Sequence, residues 1–247
     1  AWASARGFSM SMIEAGPFRL AAFVRERPMA GGTLVVYVEG DGAAWPTPYH
    51  PPRDPTPRKP IALTLAAADP APAVVYLGRP CQYLGTDALR HCDSAYWIER
   101  RFAPEVVAGY DLVLTQLKAT FQASRLRLVG YSGGGVIAVL LAARRDDVDV
   151  LVTVAAPLAL SEWVAWHDAS PLGGSLDPAE LSETVRLPPS VHFVGGNDRT
   201  VPVPMVERFV RLKGGHMEMV PDFDHDCCWA RDWASLLAHL PAMENAK

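Results

Sequence analysis

One stretch of the 247-residue chain, Leu126–Ala143, constrains the fold more than any other. A short apolar run is followed by Gly-Tyr-Ser-Gly-Gly at positions 130–134, and a run of helix-forming residues comes directly after it. This order predicts a strand, a sharp turn and a helix, with Ser132 at the apex of the turn. The glycines leave room where the strand and the helix cross closely, and Gly133 lets a backbone N–H point toward the serine.

The motif matches the G-x-S-x-G pattern of a nucleophile elbow, in the strand–turn–helix context that such an elbow requires. The alternative is an ordinary glycine-rich turn, for example one that cradles a phosphate group. The G-x-G-x-x-G pattern and the P-loop lysine of common phosphate sites are both missing from this stretch. We therefore interpret Ser132 as a candidate nucleophile.

Length and composition favour a single large α/β domain over residues 1–247. The chain is 49% hydrophobic and 20% charged, which is typical of a globular protein with a substantial core. A net charge of -4 gives no indication of binding to nucleic acid or to an anionic membrane surface. No apolar run approaches the ~20 residues that a membrane-spanning helix needs.

At least six apolar runs alternate with helical patterns, which predicts a doubly wound, mostly parallel sheet with helices on both faces. We expect residues 1–12 to be a poorly ordered lead-in and Phe18–Arg25 to be an edge strand. The proline-rich residues 45–60 are predicted to form an extended surface loop. Residues 158–189 contain no clear strand, and we interpret them as a small lid within the domain.

Three chemically suitable residues follow three different strands. Ser132, Asp198 and His225 occur in the order nucleophile, acid, base, and parallel strands bring their carboxyl ends to one edge of the sheet. A serine hydroxyl needs a histidine to take its proton, and a carboxylate to hold that histidine. Of the other histidines, only His167, in the predicted lid, is a rival as a site residue.

A second glycine-rich turn, Glu-Gly-Asp-Gly at positions 39–42, follows the buried strand Thr33–Val38. This is where the second donor of an oxyanion hole would lie, although the same pattern also suits a tight turn alone. We expect the backbone N–H groups of Gly133 and Asp41 to be the two donors. This mechanism needs no cofactor.

The chain resembles the α/β-hydrolases from about Thr33 to the final helix. The segments Glu-Gly-Asp-Gly, Arg-Pro-Cys-Gln-Tyr, Gly-Tyr-Ser-Gly-Gly-Gly, Val-Gly-Gly-Asn-Asp and His-Asp-Cys-Cys-Trp are similar to those of a bacterial α/β-hydrolase group, often exported or lipoprotein-like, whose substrates are unassigned. The resemblance implies a serine hydrolase. One departure is Glu39, which stands where many lipases have the histidine of a His-Gly pair.

We expect an esterase that acts on small carboxylic esters or lactones, because the predicted lid is small and the loops are rich in aromatic residues. A peptidase or amidase with the same triad is the first alternative, since the triad does not select the leaving group. A catalytically silent binding protein is the second, and it would have no need of a histidine after the last strand. The sequence leaves the oligomeric state open.

Four cysteines bear on the cellular compartment. Cys81 and Cys92 bracket a short loop and are expected to form a disulfide. Cys227 and Cys228 leave three arrangements open: a bond between the two neighbours, a bond from one of them to Cys81 or Cys92, or two free thiols. A metal site is disfavoured, because the chain lacks paired C-x-x-C spacing and a nearby pair of histidines. The expected disulfide favours an exported protein over a cytoplasmic one.

Overall fold

The computed structural model describes residues 2–26, 32–43 and 50–241. In this part of the chain, eight strands form one sheet. They are β1 (Ser9–Ala15), β2 (Phe18–Glu26), β3 (Thr33–Val38), β4 (Ala73–Leu77), β5 (Arg125–Tyr131), β6 (Val148–Val154), β7 (Ser190–Gly195) and β8 (His216–Val220).

The sheet has the order β1-β2-β4-β3-β5-β6-β7-β8. The pairs β1–β2 and β2–β4 are antiparallel, and every other neighbouring pair is parallel. The predicted doubly wound, mostly parallel fold is therefore confirmed. The parallel strands bring the loops after β3, β5, β7 and β8 to one edge of the sheet.

The start of the chain differs from the prediction. Residues 9–15, expected to lie mostly in a poorly ordered lead-in, form β1, which pairs with β2 along its whole length. The strand predicted at Phe18–Arg25 is present as β2, but its predicted position at the edge of the sheet was wrong, because β2 lies between β1 and β4. Most side chains of β1 are exposed, so this strand is held by backbone hydrogen bonds that an apolar pattern does not reveal.

Seven α-helices flank the sheet in the described residues. They are α1 (Ile61–Ala68), α2 (Thr86–Leu89), α3 (Pro104–Phe121), α4 (Gly133–Ala142), α5 (Leu160–Trp166), α6 (Val203–Lys213) and α7 (Trp229–Leu237). Helices α3 and α4 pack on one face of the sheet, and α1 and α7 pack on the other. Side chains of β3 alternate between these two apolar layers, as expected for a nearly continuous apolar strand covered on both faces.

A buried polar network joins α7 to the sheet. Trp233 of α7 donates a hydrogen bond to the hydroxyl of Tyr37 on β3 (2.7 Å), and this hydroxyl donates to the carboxylate of Asp69 (2.6 Å). Arg127 on β5 also binds this carboxylate. Because buried polar groups are costly unless they are paired, the network fixes α7 against the strands. Helix α7 begins four residues after His225, so the network also limits where that histidine can lie.

Residues 158–189 contain α5 and a short 3-10 turn at Pro178–Glu180. The side chain of Asp177 caps this turn by accepting the N–H of Ala179. The predicted proline-rich loop lies partly outside the described residues, at positions 45–49. Its remainder, 50–60, forms no helix in the structure.

Over residues 2–26, 32–43 and 50–241, no helix is both long enough and apolar enough to cross a bilayer.

Candidate active site

Ser132 lies between the end of β5 and the start of α4, in a strained backbone conformation. Its φ is 50° and its ψ is -125°, a combination that residues with a side chain rarely adopt. Its N–H donates to the carbonyl of Val154 on β6 (2.8 Å), which ties the turn to the neighbouring strand. The turn therefore presents the serine side chain at the carboxyl edge of the sheet.

The structure brings together the three side chains that the sequence singled out. The Nδ1 atom of His225 lies 2.9 Å from Oδ2 of Asp198, and its Nε2 atom lies 3.1 Å from Oγ of Ser132. The carboxylate selects the tautomer with the proton on Nδ1. In that tautomer Nε2 is an acceptor, and the hydroxyl of Ser132 donates to it.

The carboxylate of Asp198 is buried, and both of its oxygens have hydrogen-bond partners. One oxygen accepts the N–H groups of Thr200 and Val201, both at 2.8 Å, and the other faces His225. These two backbone bonds fix the orientation of the carboxylate, so the second oxygen points at the imidazole. The acid is therefore held by its own loop and needs no neighbouring side chain to orient it.

The loops that carry the acid and the base are interlocked. The N–H of Gly196 donates to the carbonyl of Val220 (2.8 Å), and that of Asn197 donates to Phe223 (2.9 Å). A Cβ atom on Gly196 would lie only 2.5 Å from the carbonyl oxygen of Pro221. Only glycine allows this approach, and the approach sets the distance between the two loops.

Two acids next to His225 in the sequence, and the rival histidine His167, form other contacts. Asp224 accepts the N–H groups of Asp226 and Cys227, which closes the turn that holds His225. Asp226 accepts the hydroxyl of Tyr131 (3.1 Å) instead of a proton from the imidazole. His167 contacts the carbonyl of Thr200 through Nε2 (2.8 Å) and packs on Trp163. Asp198 is thus the carboxylate that meets His225.

The turn at positions 39–42 lies beside the elbow. The buried side chain of Glu39 accepts the N–H of Gly40 (2.9 Å) and the N–H of Ala62 at the start of α1 (3.4 Å). Gln82 donates to the carbonyl of Gly40 (3.3 Å). Burial raises the pKa of Glu39 to about 7, although the two backbone N–H groups act in the opposite direction. The turn is thus fixed by side chains on both sides.

Asp41 and Gly133, the two expected oxyanion donors, are in direct contact. A Cβ atom on Gly133 would lie 2.0 Å from Oδ1 of Asp41, so the carboxylate occupies the space that a side chain would need. Gly133 is the first residue of α4, and its N–H has no partner within the helix. Both residues therefore lie beside Ser132.

The carboxylate of Asp41 binds two arginines that the sequence analysis did not assign to the site. Arg79 approaches Oδ1 (3.0 Å) and Arg101 approaches Oδ2 (2.8 Å). Burial alone would raise the pKa of Asp41, but Arg101 and Arg79 outweigh it and hold this pKa below its usual value. Arg79 follows β4 directly after Gly78, so the strand-end rule that selected Asp41 also pointed to this arginine.

Ser132 and His225 open into a cavity of about 830 Å³. Its wall is largely apolar, and its hydrophobic residues include Trp97, Ile98, Pro157, Leu172 and Val201. A volume of this size suits a small organic molecule. Among the residues that the structure describes, no group of three or more His, Cys, Asp or Glu side chains could hold a metal ion.

All four cysteines are paired. Cys81 and Cys92 form the predicted disulfide, and Cys227 is bonded to Cys228. The first bond closes the loop that begins two residues after Arg79 and supplies Gln82 to the turn at positions 39–42. The second lies directly after the loop of His225. Of the arrangements left open for Cys227 and Cys228, the structure has the bond between neighbours.

Comparison with known proteins supports the fold. The chain aligns with an α/β serine hydrolase homologue from Coxiella burnetii at 18% identity and a TM-score of 0.61, over 92% of this chain and 93% of the other. It aligns with the esterase Pf2001 from Pyrococcus furiosus at 13% identity and a TM-score of 0.63, over 95% and 92%.

The acylaminoacyl peptidase of Pyrococcus horikoshii aligns at 12% identity and a TM-score of 0.65, over 98% of this chain but 43% of the peptidase. No protein-family model and no curated protein sequence matches the chain. At these identities the likeness shows the fold, which is that of the α/β-hydrolases.

The buried carboxyl of Glu39 yields a prediction about pH. Its pKa is higher in the folded protein (about 7) than its ordinary value of 4.5, so its contribution to stability is complete below about pH 4.5 and is lost as the pH rises through 7. We expect the free energy of unfolding of the wild type, relative to Glu39→Gln, to fall by up to about 3 kcal/mol between about pH 5 and about pH 8.

Urea unfolding of both proteins at the two pH values measures this difference. Glu14→Gln is the matched control, because Glu14 is exposed in an ion pair with Arg19 and its replacement should give a difference that hardly changes with pH. An equal difference between wild type and Glu39→Gln at both pH values would contradict the prediction.

Proposed function

We propose that this protein is a serine hydrolase that cleaves small carboxylic esters or lactones through an acyl-enzyme intermediate. The observation that carries the proposal is the continuous chain from Oγ of Ser132 to Nε2 of His225 (3.1 Å) and from Nδ1 of His225 to Oδ2 of Asp198 (2.9 Å), at the wall of a cavity. These are the contacts that activate a serine nucleophile.

In the proposed reaction, Oγ of Ser132 attacks the carbonyl carbon of the substrate while Nε2 of His225 takes the hydroxyl proton. The tetrahedral intermediate collapses, the bond from carbon to the leaving oxygen breaks, and His225 gives its proton to that oxygen. A water molecule then attacks the acyl carbon while His225 takes a proton from it. The bond from this carbon to Oγ breaks, His225 returns the proton to Oγ of Ser132, and the acid is released. Asp198 holds the imidazole in the required tautomer and stabilises its protonated form.

The N–H groups of Gly133 and Asp41 are the proposed oxyanion donors. Gly133 offers the first N–H of α4, where the helix dipole adds positive potential. Asp41 lies in the turn that Glu39 and Gln82 fix in place. Each such donor contributes on the order of 3 kcal/mol to stabilising the transition state.

Residues 158–189 are the proposed lid within a single domain of residues 1–247. Trp163 and Leu172 from this segment line the cavity, so the segment can shape the acyl site. The triad alone does not decide between ester and amide substrates. Rates of hydrolysis measured on a panel of esters, lactones and peptides distinguish an esterase from a peptidase. Faster turnover of peptides than of esters would favour the peptidase.

Ser132→Ala is expected to lower turnover of any working substrate by roughly 10⁴–10⁶-fold, because it removes the nucleophile. Labelling by a fluorophosphonate probe should be lost together with activity, while the circular dichroism spectrum stays unchanged. Ser170→Ala is the matched control, since Ser170 lines the same cavity but is not one of the side chains that the ring nitrogens of His225 contact. If the Ser132 variant kept more than about a tenth of the wild-type rate, the nucleophile would have to be another group.

Asp198→Asn is expected to lower kcat by roughly 10³–10⁴-fold with the fold intact, because an amide no longer selects the Nδ1–H tautomer of His225. Asp226→Asn is the control: this carboxylate is next to His225 in the sequence, but it binds Tyr131. Its replacement should change kcat by less than about tenfold. The reverse ranking of the two variants would assign the acid role to Asp226.

We also propose that the protein is exported to an oxidising compartment. The two disulfides support this proposal, since such bonds persist mainly outside the cytosol. Protein recovered from a bacterial periplasm, unfolded and alkylated without reduction, should gain no alkyl groups by mass spectrometry. It should gain four after reduction. Four alkyl groups before reduction would contradict the pairing and remove the support for export.

A further inference from the structure

Arg101 has hydrogen-bonding capacity that the protein does not use. Its Nε–H donates to the carbonyl of Ile98, and Nη1 donates to Oδ2 of Asp41 (2.8 Å). Among the described residues, the other terminal nitrogen, Nη2, has no acceptor, and it is not enclosed by protein atoms. Arg101 is only 9% exposed and lines the cavity of Ser132, so this nitrogen faces the cavity.

The guanidinium is also held in one position. Asp41 and the carbonyl of Ile98 fix two of its nitrogens, and the backbone carbonyl of Arg101 accepts a hydrogen bond from Arg79. A planar guanidinium that is fixed in advance loses little conformational freedom when it binds a ligand. The free edge of Arg101 is therefore a preorganised donor for a carboxylate.

The charges around Arg101 leave a positive excess. Arg79 and Arg101 share one carboxylate, that of Asp41, so the three groups carry a net charge of +1. Glu39, another acid of the cavity wall, is buried, and burial raises its pKa to about 7. A buried positive charge is costly unless it meets a negative partner, and the cavity is the side from which such a partner can come.

The other charged residues of the cavity wall are two cations and three acids, so the positive excess is confined to the surroundings of Arg101. Arg58 and Lys59 are exposed cations, and Asp226 is bonded to Tyr131. The carboxylates of Glu99 and Asp168 also line the cavity, and neither forms an ion pair with Arg101 in the described part of the chain.

The position of Arg101 relative to the nucleophile defines where a ligand group would lie. One oxygen of Asp41 packs on Gly133, the residue after Ser132, and the other oxygen binds Arg101. The guanidinium is thus separated from the elbow by a single carboxylate. Trp97 and Ile98, which precede Arg101 and line the same cavity, offer apolar surface to the methylene groups of an acyl chain.

We propose that the cavity binds esters whose acyl chain ends in a carboxylate, and that Arg101 receives this carboxylate. The inference rests on the proposed function for the hydrolysis of such esters, whereas the binding of the carboxylate depends on Arg101 alone. Arg101 is then a residue that determines specificity, and it distinguishes charged acyl chains from neutral ones of equal length.

The test compares monomethyl adipate with methyl hexanoate, which share a six-carbon acyl chain and differ in the terminal carboxylate. We expect the wild type to hydrolyse the charged ester with a kcat/KM about tenfold higher or more, as a charge-assisted hydrogen bond allows. Arg101→Gln should lose this preference, and Arg101→Lys should keep part of it. Arg58→Gln is the matched control, because it removes another cation of the same cavity, and it should keep the preference.

Binding separates this inference from the proposed function. Calorimetry with the Ser132→Ala protein should show monomethyl adipate bound more tightly than methyl hexanoate, and the additional exchange Arg101→Gln should remove the difference. A binding preference without hydrolysis of either ester by the wild type would refute the esterase and support the anion site. Hydrolysis of both esters with equal kcat/KM, equal binding, or a preference that survives in Arg101→Gln would overturn the anion site.

Discussion

The site depends on a backbone contact that leaves no room for a side chain. Strands β3 and β5 are neighbours in register, with Val38 opposite Gly130, so the turns that follow them start at the same level. A Cβ atom on Gly134 would lie 2.1 Å from the carbonyl oxygen of Val38. Because α4 begins at this contact, the serine and the turn at positions 39–42 are held side by side by the main chain itself. The carboxylate of Asp41 then fills the remaining space against Gly133.

The sequence predicted the parts of the molecule that follow from topology. Ser132 comes directly after β5, and Asp198 and His225 lie in the loops that follow β7 and β8. Parallel strands end at one edge of the sheet whatever their side chains are. The positions of these residues could therefore be inferred without any knowledge of their contacts. Strand β1 was missed because its side chains are mostly exposed, and no apolar alternation marks a strand held mainly by its neighbour's backbone.

The contacts that side chains of different loops make with each other could not be inferred from topology. Arg79 and Arg101 are 38 and 60 residues from Asp41 along the chain, and their meeting depends on the path of loops that carry no periodic pattern. The disulfide between Cys81 and Cys92 was predictable because the two residues are 11 apart. The burial of Glu39, and with it the raised pKa, depends on α1 covering the turn, which the alternation of strand residues does not indicate.

The interlocked loops of Asp198 and His225 also limit how the chain can change in length. Each inserted residue adds roughly 3.5 Å of backbone, which is more than the hydrogen bonds from Gly196 and Asn197 to the opposite loop can absorb. An insertion in either loop would thus move the acid away from the base. Residues 158–189 make no such exchange with the loop of His225, and they bind the loop of Asp198 through the side chains of Trp163 and His167, which reach the carbonyl of Thr200. A change of length in this segment outside that contact leaves the interlocked backbones in place, so the cavity wall can vary while the catalytic geometry stays fixed.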